Sequence, residues 1–218
     1  MKRLVPILLL LAAIVFARAP FLIRDSPSEE TMGVVFKIFY FHVSSAITMM
    51  LTAIVCAVAS AVYLARRTRG ADHVALAAAE LAVVFGAIVL MTGPIWARKS
   101  WGVWWVWDAR VTSTLIMWMM FASYLLLRRF AGAGSETLAA AVGVFGGVMS
   151  PLVYKAVDIW RTQHPTTQVL PSLPAEMRGI WLWCLFGFFA LYAVLMVVRT
   201  RLAASQAALD DLHLALED

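Results

Sequence analysis

Residues 39–65 read FYFHVSSAITMMLTAIVCAVASAVYLA, a run without one Lys, Arg, Asp or Glu, closed by Arg66 and Arg67. A helix needs about 20 mostly apolar residues to cross the hydrocarbon core of a bilayer. The run is long enough, and the arginine pair is placed to stop it at a headgroup layer. Working outward, five more runs meet the same criterion, at 4–23, 74–97, 111–127, 137–157 and 180–198. The chain has 218 residues, 62% of them hydrophobic, against roughly 45–50% in an ordinary soluble domain. The expected fold is an all-α integral membrane protein, one six-span domain over residues 1–218. Met1, Lys2 and Arg3 ahead of an apolar run resemble a signal peptide, but no convincing cleavage site follows, so an uncleaved first span is expected.

The net charge of +5 would suit a nucleic-acid binder if the basic residues formed one patch. They come instead as short clusters between apolar runs, which is the pattern of membrane orientation, so membrane lipid and not nucleic acid is the expected surrounding. Six spans put both termini on one side. Lys and Arg divide equally between the two sides, so the tally alone does not orient the chain. Lys2, Arg3, Arg66, Arg67, Arg69, Arg128, Arg129, Arg199 and Arg201 sit in tight groups at span ends, where the positive-inside bias acts. The other side mixes its cations with Asp25, Glu29, Glu30, Asp108, Asp158 and Glu176. The termini are therefore expected in the cytoplasm. Cys56 and Cys184 lie far apart in apolar runs, and no Cys-x-x-Cys occurs, which excludes a dithiol redox motif and a c-type haem attachment site.

This orientation sorts the polar chemistry. His42, at the outer edge of the opening run, and His164 fall at the outer face, while His73 and His213 fall in the cytoplasm. No span interior is expected to carry a histidine. Trp96, Trp101, Trp104, Trp105, Trp107, Trp160, Trp181 and Trp183 gather at the outer face, and Trp118 alone does not. A membrane belt would decorate both interfaces, so a belt accounts for only part of this. Three connections are rich. Residues 24–38 hold the helix-start signal Ser26-Pro27-Ser28-Glu29-Glu30 ahead of an amphipathic stretch to Phe41. Residues 158–179 carry three prolines and should be mostly irregular. Residues 98–113 form an outer, Trp-rich segment.

That segment contains WGVWWVWDAR, 101–110. Wound as a helix, it brings Trp101, Trp104, Trp105, Trp107 and Asp108 into one arc of about 160°, with Gly102 on the opposite side. An interfacial helix with an aromatic face is the expectation. Indole faces offer a platform for a flat, largely apolar ligand. His42 and His164 on the same side fit axial ligation of a haem iron. Zinc would normally require three or four ligands, and the outer loops hold no cysteine.

WGVWWVWDAR resembles the signature of the WWD-domain haem-handling family, with KIFYFH before it and His164 after it. Within that family the chain is similar to the CcmC type of bacterial cytochrome c maturation, over about residues 33–178. The resemblance implies haem b held at the periplasmic face between His42 and His164, over Trp101, Gly102, Trp104, Trp105, Trp107, Asp108 and Arg110. It implies delivery to a haem chaperone, CcmE, beside the ABC-type transporter subunits CcmA and CcmB and the small single-span CcmD. No catalytic residue is assigned. Val43-Ser44-Ser45 departs from the family, which often has proline after the histidine, so the local helix entry can differ.

Other classes compete. A haem conduit or a cytochrome b needs histidines within its spans; a transporter scaffold needs no haem at all. Asp108 and Arg110 either pair with each other or serve a haem propionate and the chaperone. Lys37 is a second propionate candidate. Tyr40 and Trp160 are candidates for the pocket wall, with interfacial anchoring as the plainer role. Glu80, near the cytoplasmic end of its span, is expected to snorkel.

Overall fold

The computed structural model describes residues 4–132, 134–167 and 169–217; Met1, Lys2 and Arg3 of the charge pattern lie outside them. Seven helices form: α1 Leu4–Asp25, α2 Ile38–Arg66, α3 Arg69–Trp101, α4 Ala109–Phe130, α5 Ser135–Ile159, a single turn α6 at Val169–Ser172, and α7 Ala175–Glu217. All but α6 are long and apolar enough to span a membrane, and no strand forms among the described residues. The chain is a multi-pass helical membrane protein. Six crossings return it to the end at which it began, here called the terminal end; the Trp-rich segment marks the opposite, site end.

Helix 2 lies between α3 and α5; α4 packs on α3 and α5, and α1 with α7 closes against α2 and α3. What lets α2 and α5 approach is Gly147. A methyl group there would fall 2.2 Å from the Ala57 Cβ and 2.7 Å from the Ala53 carbonyl oxygen. The core behind this contact joins Met49, Ala53, Cys56, Phe85, Met117, Phe121, Tyr124 and Phe188. Polar groups buried on α2 are satisfied within the helix: Ser44, Thr48 and Thr52 donate to the carbonyls of Tyr40, Ser44 and Thr48 at 2.6–2.8 Å. Lipid offers no hydrogen bond in exchange, so this self-satisfaction is required.

Ion pairs tie the terminal half together. Arg128 clasps Asp72 with two bonds of 2.8 and 2.9 Å, joining α4 to α3. Arg199 donates Nε to Glu80 at 2.6 Å, joining α7 to α3. Glu80 is thus paired inside the bundle, which corrects the expectation that it snorkels: Arg199 lies close enough to neutralise it, and a paired carboxylate need not reach for water.

Three further expectations change. The 26–30 signal starts no helix. The Glu29 carboxylate accepts from the Thr31 and Met32 N–H groups at 2.9 and 2.6 Å and closes a turn on itself; α2 begins only at Ile38, after a 3-10 turn at Val34–Lys37. The Trp segment is not a separate helix. Helix 3 runs on through Trp101 and ends at Gly102, whose φ of 77° is left-handed, a conformation that suits a residue without Cβ. Asp108 then starts α4 by accepting the Val111 N–H at 2.9 Å, leaving 102–107 as an irregular flap. Finally, His42 lies one turn inside α2, as its place within the 39–65 run requires, and His73 and His213 lie within α3 and α7 because those helices overrun the apolar runs.

Candidate functional site

At the site end, α2, α3, the start of α4 and the connection 160–170 surround a chamber. His42, Gly93, Trp96, Trp101, Trp105 and His164 line it, together with Trp104, Arg110, Met32, Phe36, Phe39 and Met50. His42 reaches it from α2. Its Nδ1 lies 2.8 Å from Oγ1 of Thr92 on α3, and that hydroxyl donates to the Ile88 carbonyl at 2.7 Å. A hydroxyl has one hydrogen, so Thr92 accepts from an Nδ1–H, and the free lone pair of the ring is on Nε2. Gly93 leaves the ring its space: a Cβ there would stand 3.3 Å from the His42 Cε1.

His164 comes from the irregular connection between α5 and α6. Its Nδ1 donates to the Pro165 carbonyl at 2.9 Å, so here too Nε2 carries the lone pair. Burial, and then the positive charge of Arg110, push its pKa down to about 4, against the opposing pull of the Pro165 carbonyl and Asp108. The ring is neutral at physiological pH and able to ligate. Metal-bound histidines are commonly oriented by such a bond from the other ring nitrogen.

Asp108 and Arg110 do not pair. Asp108 divides its carboxylate between two backbone donors: Oδ1 accepts from Val111 and Oδ2 from Gln163, each at 2.9 Å. It thereby ties the Trp flap to the residue before His164. Arg110 donates Nη1 to the carbonyls of Val153 and Tyr154 at 2.6 and 2.8 Å, pinning α4 to α5. Its Nε and Nη2 make no hydrogen bond among the described residues, on a side chain that lines the chamber.

The aromatic residues divide. Trp101, Trp104 and Trp105 are on the wall, and Trp96 meets Trp101 edge to face at 5.2 Å. Trp105 has a buried indole N–H without a partner. Trp107 is 77% exposed and off the wall, touching Trp105 at 5.7 Å. Gly102 ends α3 and does not line the chamber. Arg98 stacks over Trp104 and donates to the Gly102 carbonyl, which anchors the flap.

Lys37, Tyr40 and Trp160 stand apart from the chamber. Lys37 donates to the Arg24 carbonyl at 2.6 Å. Tyr40 is fully buried in a neighbouring cluster with Phe36 and Leu173. Trp160 projects outward, 48% exposed. Sequence reasoning missed Thr92, Gly93 and Trp96. The signal for the first two was present: Thr-Gly-Pro at 92–94 interrupts an apolar run, where a hydroxyl and a missing side chain each require a reason.

Among the described residues, no three His, Cys, Asp or Glu side chains cluster as a metal site would require. Two imidazoles facing one chamber, aromatic walls and a cation on the rim instead fit a flat ligand with two axial positions at its metal. Fold and site together define a six-span membrane protein with a histidine- and tryptophan-lined chamber at one end. The profile of the CcmC family, Heme exporter protein C, matches residues 1–214. Heme exporter protein C of Escherichia coli (strain K12) is 34% identical over 183 residues, covering 81% of this chain and 73% of its own. The Haemophilus influenzae and Paracoccus denitrificans proteins of that name are each 32% identical, again over 81% of this chain, and over 74% and 76% of their own. The chain belongs to the Heme exporter protein C family.

Proposed function

We propose that this protein handles haem in cytochrome c maturation: it binds haem b at the periplasmic face of the bacterial inner membrane and passes it to the haem chaperone CcmE. Its partners in this reading are the transporter subunits CcmA and CcmB and the small CcmD. The observation that carries it is the pair of histidines at the site end, each with Nδ1 already hydrogen-bonded and Nε2 free, on one aromatic chamber.

The chain's residues divide the work. His42 and His164 supply the two axial nitrogens; Thr92 and the Pro165 carbonyl hold the rings in the ligating tautomer. Trp101, Trp104 and Trp105 provide stacking surface, and the unpartnered Trp105 N–H and Arg110 Nη2 are donors for carboxylates at the edge of a porphyrin. Asp108 keeps the flap and the His164 loop in register, and the exposed Trp107 faces the receiving protein. Bound haem supplies an iron whose two axial positions accept imidazole.

Purified protein is expected to show a six-coordinate, low-spin haem spectrum that His42→Ala and His164→Ala each alter or abolish. An unaltered spectrum in both variants disproves the ligand assignment. A transporter scaffold would show no haem absorbance.

A further inference from the structure

A second, shallower groove opens on the lipid-facing side between α2 and α5. Met50, Ile54, Ala57 and Val58 form one bank, and Gly147, Val148, Ser150, Pro151 and Tyr154 form the other. It exists because α5 lacks bulk there: Gly147 and Ser150 are small, and Pro151 has a ring where a long side chain would otherwise fill the space. Met50 and Tyr154 line both this groove and the chamber. They are the wall between the two.

The wall is formed by side chains, over two backbones that are tied together. Ser150 donates Oγ to the Met50 carbonyl at 3.4 Å, tying the backbone of α2 to α5, while the Met50 side chain stays free and only half-buried. Methionine is unbranched and readily changes shape. Tyr154 is 45% exposed and has its ring at the site end of the same groove. Met50 lies a little over two turns along α2 from His42, at the depth of the acyl chains. Trp101, Trp104, Trp105 and residues 164–167 line the chamber at the site end, and the flap is anchored by Arg98 and Asp108.

We propose that this groove is a lateral port, through which a flat apolar ring system dissolved in the site-end leaflet slides past Met50 and Tyr154 into the chamber. The inference rests on the haem reading above and adds the side from which the ligand arrives. Continuity of groove and chamber through two shared side chains distinguishes it from an ordinary lipid-facing furrow.

The test uses the full chain reconstituted in vesicles, with haem supplied in the bilayer and loading followed by the low-spin spectrum. Ile54 and Val58 face lipid, 47% and 59% exposed, so Ile54→Cys and Val58→Cys can carry a bulky thiosulfonate label in the groove. The native Cys56 and Cys184 are buried. Val84, 51% exposed on α3 and off the groove, supplies the control as Val84→Cys. Labelling Ile54→Cys should slow loading at least about tenfold, which corresponds to a barrier of about 1.4 kcal/mol, and labelling Val58→Cys, one turn further from the site end, should slow it less. Reduction of the label should restore the rate, and the final spectrum should be unchanged. Labelled Val84→Cys should load as the unlabelled protein does. If labelled groove variants load at the unlabelled rate, the groove belongs to a lipid or a partner helix and the port is disproved. Equal slowing at Val84 disproves it as well. Absence of haem uptake by the unlabelled protein is a different outcome, which refutes the haem reading itself and the port with it.

Discussion

Asp108 accepts the backbone N–H of Gln163 at 2.9 Å across 55 positions of sequence. The same carboxylate caps α4 through Val111, so one side chain holds both the end of the Trp flap and the loop that presents His164. Removing it leaves two donors short of an acceptor. Asp108→Ala should cost about 1 kcal/mol as a lost helix cap and should loosen His164 in addition. The expected result is a mixed or high-spin haem spectrum with a faster haem loss, while His42 ligation persists. Asp108→Asn, which keeps one acceptor oxygen, should recover part of the low-spin signal. Absorbance spectra and haem dissociation rates check both, and a wild-type spectrum and rate for Asp108→Ala would separate Asp108 from the His164 loop.

Thr92 and Gly93, consecutive on α3, act on neighbouring atoms of the His42 ring, Nδ1 and Cε1. Thr92→Val keeps the shape and removes the acceptor of the Nδ1–H, so the ring loses its fixed tautomer. Loss of such a partner commonly weakens metal binding about 10- to 100-fold. Gly93→Ala puts a Cβ 3.3 Å from Cε1, which displaces the ring. Both variants should lower haem affinity with the fold retained, and Thr92→Ser should restore it. Titration with haem, with circular dichroism as the folding control, decides.

The pH dependence follows from His164. Its pKa in the folded protein is about 4, below the ordinary value of about 6.5. Between these two values the unfolded chain binds the proton and the folded chain does not, so His164 contributes stability above about pH 6.5 that is lost as pH falls toward 4. For ligation the consequence is opposite in feel: protons do not compete for the ring until pH falls through about 4. The His164 contribution to the low-spin spectrum should therefore hold from neutral pH to about pH 5. A spectrum that titrates near 6.5 would show that the loop exposes His164 to water.

The six spans were legible because lipid burial requires long uncharged runs, and each began or ended within a turn or two of a basic cluster or the proline-rich connection. Where helices overran the runs, as α7 does toward Glu217, the extra turns lie beyond what hydropathy measures. His42 and His164 were legible as a pair from their shared side alone. The Trp flap was not, since periodicity allowed a helix and only the left-handed Gly102 and the capping by Asp108 decide against it. Thr92 was hidden for another reason: a hydroxyl in a span usually bonds back to its own helix, and its second bond, to His42 fifty residues away, is tertiary.

Orientation rests on clustered charge rather than on the fold, and it is testable directly. Reporter fusions at Arg67 and Arg129 should read cytoplasmic, and fusions at Thr166 and Gln168 periplasmic; Gln168 lies outside the described residues. Arg128 is held by Asp72, which removes part of its charge from the positive-inside balance, whereas Arg66, Arg67 and Arg129 keep theirs. The reversed pattern would invert the protein and move the chamber to the cytoplasmic face.

On the proposed function, the tryptophans should separate placing haem from handing it over. Trp101 and Trp105 are on the chamber wall, and Trp107 is 77% exposed and off it. Losing one indole face removes stacking of about 1 kcal/mol, a modest loss beside two iron–imidazole bonds. Trp101→Ala and Trp105→Ala should therefore lower haem occupancy only partly, with the double change lowering it further. Trp107→Ala should leave occupancy at the wild-type level and still reduce covalent transfer of haem to the chaperone, because it alters only the face turned outward. Trp104, 60% exposed yet on the wall, should show both effects. The two readouts are haem per protein and haem-labelled chaperone, measured on variants that remain folded in the membrane. If Trp107→Ala transfers haem at the wild-type rate while Trp105→Ala does not, handover depends on the chamber wall alone, and the exposed indole is an ordinary membrane anchor.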